Sequence, residues 1–161
     1  MSCKLISLDT SSNSTGVGVF VDGVFSHHFL IDLKKIKNTE DRMKEMVSQL
    51  FTLIEKEQPD IIVTEMTVVT RNAQAQRNLT MILGAVYGKC VEKDIWYHSF
   101  RPTEWRSLID TDKKPKGRKR EDYKAWSCEV VNNTYGIKAN DDVSDAILLG
   151  RAYVNKFTDK E

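Results

Sequence analysis

Two short apolar runs in this chain each end in an acid: Lys4-Leu-Ile-Ser-Leu-Asp9 and Ile61-Ile-Val-Thr-Glu65. A brief apolar run bounded by turn formers reads as a buried strand. Near-continuous apolar strands of this kind belong in a parallel sheet covered on both faces. If the two lie in parallel, Asp9 and Glu65 both stand at the carboxyl edge, where open α/β sheets bind their ligands. Like charges taken out of water raise each other's pKa, and a cation is the usual resolution. Carboxylate oxygens select hard divalent ions, which here means Mg²⁺ or Mn²⁺.

The rest of the pattern supplies a frame for these strands. Val17, Val19 and Val21 alternate along a second strand up to Asp22-Gly23, a dipeptide suited to a tight hairpin, and a third strand runs from Val24 to about Ile31. Met43, Met46, Val47, Leu50, Phe51, Leu53 and Ile54 recur at helical spacing, with Thr39 as the expected N-cap and Pro59-Asp60 as the stop. A second helix is expected from about Asn72 to Lys93, then a strand from Ile95 to Phe100, and a short helix opened by Pro102. Two more helices close the chain, from about Glu121 to Tyr135-Gly136 and from about Asp142 to Phe157. The expected fold is α/β, a mixed five-stranded sheet with three antiparallel strands followed by two parallel ones, flanked by helices. With no internal repeat and no linker, residues 1–161 read as one domain, large enough to bury a core.

On the last helix Val143, Ile147, Gly150, Val154 and Phe157 form the stripe expected to face the sheet, and Asp142 and Asp145 flank it in the first turns. Asp141 and Asp145 are also suitably spaced, so periodicity alone leaves Asp141 and Asp142 both open. Acids at a helix start commonly cap it or complement its dipole. Their occurrence together with Asp9 and Glu65 is what points to a shared site.

Composition narrows the function classes. Cys3, Cys90 and Cys128 are far apart with no C-x-x-C pair, so neither a disulfide framework nor a zinc knuckle is indicated. No apolar run approaches a membrane span, and an acid arrives too early for a signal peptide, so a cytoplasmic location without membrane association is expected. With 24 basic and 23 acidic residues the net charge is +1, so affinity for nucleic acid has to come from local clustering. Lys113, Lys114, Lys116, Arg118, Lys119 and Arg120 form such a cluster, with Pro115 and Gly117 opposing helix there. Trp96, Trp105 and Trp126 read as core or interface residues. His27 and His28 point to opposite faces of a strand, and His98 is expected to be hydrogen-bonded.

Several motifs combine into a resemblance. Leu8-Asp9-Thr10-Ser11 followed by Thr15-Gly16-Val17-Gly18, Val63-Thr64-Glu65, and Asp142-Val-Ser-Asp145-Ala-Ile resemble the RuvC family, especially its smaller phage-type members. The likeness takes in the Asn72 to Gly88 helix, the Arg101-Pro102-Thr103-x-Trp105-Arg106 element and the Tyr135-Gly136-Ile137 turn, and so nearly the whole chain. It implies a ribonuclease H-like fold and a metal-dependent crossover-junction endodeoxyribonuclease. Asp9, Glu65, Asp142 and Asp145 would be catalytic residues holding two Mg²⁺ or Mn²⁺ ions. The expected partners are branched DNA, above all four-way (Holliday) junctions, and a second copy of the chain, with 5′ phosphates left at the nicks. The chain would act in a bacterial or phage-infected cell. DNA contacts are expected from the 113–120 cluster and from Val68 and Arg71, with Val68 standing where family members often carry an aromatic wedge. A basic residue near the metals is also implied, and spacing allows Lys119 or Lys124. The loop after the first strand is shared with nucleotide-binding modules of the actin, sugar-kinase and threonylcarbamoyl-transfer type, the alternative reading. Those need a second subdomain and have no use for the Asp142 and Asp145 pair.

Overall fold

The computed structural model describes residues 2–68 and 71–158. Strands β1 (Lys4–Thr10), β2 (Ser14–Val21) and β3 (Val24–Asp32) form the antiparallel meander, with Asp22 and Gly23 both at positive φ in the connecting turn. Helix α1 (Thr39–Glu57) crosses to β4 (Ile61–Glu65), and α2 (Ala73–Lys93) to β5 (Trp96–Phe100). Helices α3 (Pro102–Ser107), α4 (Arg120–Tyr135) and α5 (Asp141–Phe157) follow. The sheet order is β3-β2-β1-β4-β5, with β1, β4 and β5 parallel to one another. This is the mixed sheet expected from the sequence.

Strand alternation divides the core in two. Ile6, Leu8, Val17, Val19 and Ile62 point to one face and pack with Met46, Leu50 and Ile82 of α1 and α2. Leu5, Phe20 and Val63 point to the other, against Trp105, Trp126, Val143 and Ile147 of α3, α4 and α5. On this second face the sheet is trimmed to admit α5. Ser7 is fully buried and donates to the Ala146 carbonyl, and the ring of Phe20 fills the space above Gly150. A Cβ on Gly16 would strike the Asp142 carbonyl and stand 2.6 Å from Val143 N, so only glycine lets the first turn of α5 rest on β2.

Three local expectations need correction. The cap of α1 is Asn38, not Thr39: its side-chain oxygen accepts the Asp41 N–H at 3.0 Å, a role asparagine fills better than threonine. Phe157, in the last turn of α5, is 51% exposed rather than buried against the sheet; its ring meets His98 edge-on and Tyr153 at a tilt. His98 Nε2 is buried with no hydrogen-bond partner, and the imidazole is packed among Phe100, Tyr153 and Phe157. Among the described residues no helix is long and apolar enough to cross a membrane.

Candidate active site

The parallel pairing of β1 with β4 sets Leu8 opposite Thr64, so the next residues, Asp9 and Glu65, emerge side by side at the carboxyl edge. Asp9 also pairs with Gly16, the residue on which α5 rests, and this contact carries the start of α5 to the same edge. Asn140 caps α5 by accepting the Val143 N–H at 2.9 Å, which fixes the first turn and aims Asp141, Asp142 and Asp145 inward. Asp9, Glu65, Asp141, Asp142 and Asp145 all line one cavity of about 640 Å³. Residues separated by more than a hundred positions therefore share one site.

The electrostatics follow from this crowding. Burial pushes the Asp9 carboxyl well above the usual range, and the charges of Asp145, Glu65, Asp142 and Asp141 push it further. Asp145 is pushed up to about 7, by burial first and by Glu65 in addition, with Arg106 opposing. Glu65 is raised by burial against the pull of the Trp105 N–H and Arg106. Asp141 differs: burial works against its charge, yet the Lys124 ammonium at 2.9 Å outweighs that and holds its pKa low. Asp142 accepts from a neutral donor, the Ser14 hydroxyl at 2.7 Å.

These donors suit a hard divalent cation, being all carboxylate oxygens in a place where negative charge is poorly compensated. Among the described residues no three acidic, histidine or cysteine side chains close into a tight cage, so the carboxylates surround the cavity at separations wider than a single preformed ion site. Metal and protons compete for the same oxygens. An acid whose folded pKa is raised loses stability as pH climbs from its unfolded value to its folded one, and a bound cation restores that loss. Mg²⁺ is therefore expected to raise the melting temperature more at pH 8 than at pH 5, as a thermal-shift titration at the two pH values would measure. An equal rise at both would contradict the clustered carboxylates.

The surroundings hold side chains that sequence reading missed. Trp105 is fully buried in the core, as expected, and in addition its indole N–H donates to Glu65 Oε2 at 2.7 Å. Arg106 lies over the rings of Tyr123 at 4.2 Å and Trp105 at 5.2 Å, on the cavity wall, and its Nε is buried without a hydrogen-bond partner. Both sit in the Arg101-Pro-Thr-x-Trp-Arg element, and a tryptophan next to an arginine just after a strand end was the available signal. Of the two lysines that spacing allowed, Lys124 lines the cavity and Lys119 does not. From the 113–120 cluster only Arg120, the first residue of α4, reaches the wall; Lys113 is tied to Glu129 at 2.9 Å, while Lys114, Lys116, Arg118 and Lys119 are exposed. Val68, 51% exposed, lines the cavity, and Arg71 is exposed and is not among its lining residues. Trp126 is core, its N–H bonded to the Lys113 carbonyl, and Trp96 is exposed.

No family model matches the chain. It is 26% identical over 147 residues to the crossover junction endodeoxyribonuclease RuvC of Prosthecochloris aestuarii, covering 89% of this chain and 76% of that protein. Its structure superposes on Thermus thermophilus RuvC solved in complex with a Holliday junction substrate, with a TM-score of 0.72 at 12% identity, over 95% of this chain and 93% of the other. The yeast mitochondrial Holliday junction resolvase Ydc2 gives a TM-score of 0.61 at 16% identity, over 95% and 78%. The two structural likenesses concern the fold, and the first comparison adds sequence. Taken together they show that this chain has the fold of these Holliday junction resolvases and is similar in sequence to a RuvC.

Proposed function

We propose that this chain is a metal-dependent, structure-selective DNA endonuclease that resolves four-way junctions. The observation that carries the reading is the meeting of Asp9, Glu65, Asp142 and Asp145 in one cavity at the carboxyl edge. The names of the relatives, a crossover junction endodeoxyribonuclease and a RuvC bound to a Holliday junction, support the substrate class. The four carboxylates are the proposed ligands of two Mg²⁺ or Mn²⁺ ions. Bound there, such a pair would supply the charge that activates an attacking water and stabilises the leaving 3′ oxygen, and the proposed products carry 5′ phosphates. The protein's own part is positional. Trp105 orients Glu65, Lys124 neutralises Asp141, and Arg106 presents an unpartnered buried N–H and a positive charge to a phosphate in the cavity. Val68 in the cavity lining is an apolar wedge without a ring, suited to separating bases but not to replacing their stacking.

The active form is proposed to be a homodimer, acting in the cytoplasm. Support for the dimer comes from α2, whose outer face exposes Met81, Tyr87 and Val91 beside Gly84 and Gly88, where nothing stands within 4 Å of an added Cβ. The nucleotide-binding alternative finds no support here, since a phosphate-binding module has no use for four converging carboxylates. The deciding experiment incubates the protein with an immobile four-way junction, a replication fork and linear duplex, with and without Mg²⁺ or Mn²⁺. Paired nicks in the junction that require metal are expected. Nucleotide binding without any nicking would overturn the reading.

A further inference from the structure

We propose that the loop joining β3 to α1, which carries Lys34, Lys35 and Lys37, is a second phosphate-binding wall that holds the DNA backbone at phosphates neighbouring the scissile one. The proposal rests on the nuclease reading above. Because β2 is antiparallel to both β1 and β3, strand β3 runs parallel to β1 and its last residue, Asp32, opens onto the same edge as Asp9. Two strand spacings separate them, about 10 Å, a distance that reaches the phosphates next along the same DNA strand. Lys34 lines the carboxylate cavity itself.

The charge on this loop is not met by a carboxylate, although Lys37 Nζ donates to the Lys34 carbonyl at 3.4 Å. Lys34, Lys35 and Lys37 are exposed, and among the described residues none of them forms an ion pair. Lys4, Lys44, Lys89, Lys93, Lys124 and Lys156, by contrast, all have carboxylate partners. The nearby acids do not cancel the cluster: Asp32 accepts the Lys34 backbone N–H at 3.1 Å, and Glu40 faces Lys44.

The loop is also anchored. Leu33 is buried and its N–H bonds to the Asn13 carbonyl at 2.9 Å, while Ile36 packs on the α1 side of the core. Arg42 of α1 donates from Nε to the Ser12 carbonyl at 3.1 Å and from Nη1 to the Ile36 carbonyl at 2.9 Å. It thus ties the lysine loop to the loop that follows Asp9, and its own charge goes to neutral carbonyls. The same cavity is also lined by Arg106 of α3 and by Arg120 and Lys124 of α4. A carboxylate floor between two cationic walls fits a polyanion that crosses the site, with the metal-loaded floor under one phosphate and the walls on its neighbours.

The test compares the full chain with the triple variant Lys34→Ala/Lys35→Ala/Lys37→Ala, measuring junction binding in EDTA over a potassium chloride series and hydroxyl-radical footprints of the bound junction. Each phosphate contact contributes about 0.9 to the slope of log K against log salt. The variant is expected to lose about 2.7 from that slope, and to lose protection at the nucleotides neighbouring the nick, with its melting temperature unchanged. A wild-type chain that binds and nicks while the variant keeps its slope and footprint would overturn this wall alone. A wild-type chain that neither binds nor nicks a junction would overturn the nuclease reading and the wall together.

Discussion

Asp9→Asn is expected to lower metal-dependent nicking of a four-way junction by roughly a thousandfold or more, a barrier increase of ~4 kcal/mol, while junction binding is retained or tightened. Asn keeps the shape of the side chain and removes the charge. Asp9 is the acid on which the others converge: its pKa is raised by burial and then by Asp145, Glu65, Asp142 and Asp141. Neutralising it removes a proposed oxygen ligand of the divalent cation from the cluster. The same change relieves repulsion among the remaining acids and between them and incoming phosphates. Activity and binding should therefore move in opposite directions, which simple unfolding would not produce. Asp145→Asn is expected to behave alike. Single-turnover nicking and junction affinity, measured on the same preparations, check both variants, and cleavage retained in either would remove that acid from the site.

What the sequence made legible was mostly local. The alternation of Val17, Val19 and Val21, the Asp22-Gly23 turn and the apolar run before Glu65 each depend on a few neighbouring residues, and each took the expected form. The convergence of Asp9 and Glu65 was readable because parallel strands place their ends together. The side chains missed are those whose role depends on tertiary closure. Nothing in the spacing of Trp105 reveals that its N–H meets Glu65, forty positions earlier, because that contact requires β4, β5 and α3 to be in place. Lys34 reads as one lysine in a loop until β3 is seen to open on the edge used by Asp9. The 113–120 cluster shows the reverse: its charge was plain in the sequence, but only Arg120 reaches the cavity wall, since α4 starts there and turns the preceding residues outward. Asp141 and Asp142 were inseparable by periodicity. What distinguishes them is their partners, Lys124 for the first and the Ser14 hydroxyl for the second.

Gly16→Ala, a change of one methyl group with no charge involved, is expected to lower the melting temperature by about 6 to 12 °C, taking ~3 kcal/mol for overpacking and a few degrees per kcal/mol for a domain of this size. Its added Cβ would meet the Asp142 carbonyl and Val143 N at the first turn of α5. Both are backbone atoms, so no side chain can rotate away, and the helix start has to retreat from the sheet. That start carries Asp142 and, one turn on, Asp145, while Gly16 is the register partner of Asp9. A retreat of even 1 Å separates the carboxylates of α5 from those of β1 and β4, a displacement that alone can cost about a hundredfold in rate. The loss of nicking should therefore persist well below the variant's melting temperature, and the stabilisation by Mg²⁺ at pH 8 should shrink with it. Thermal melts with and without Mg²⁺, together with nicking rates at a temperature where the variant is folded, separate this from a loss of stability alone. A folded Gly16→Ala protein with normal nicking would mean that the start of α5 does not have to rest on β2 for the site to form.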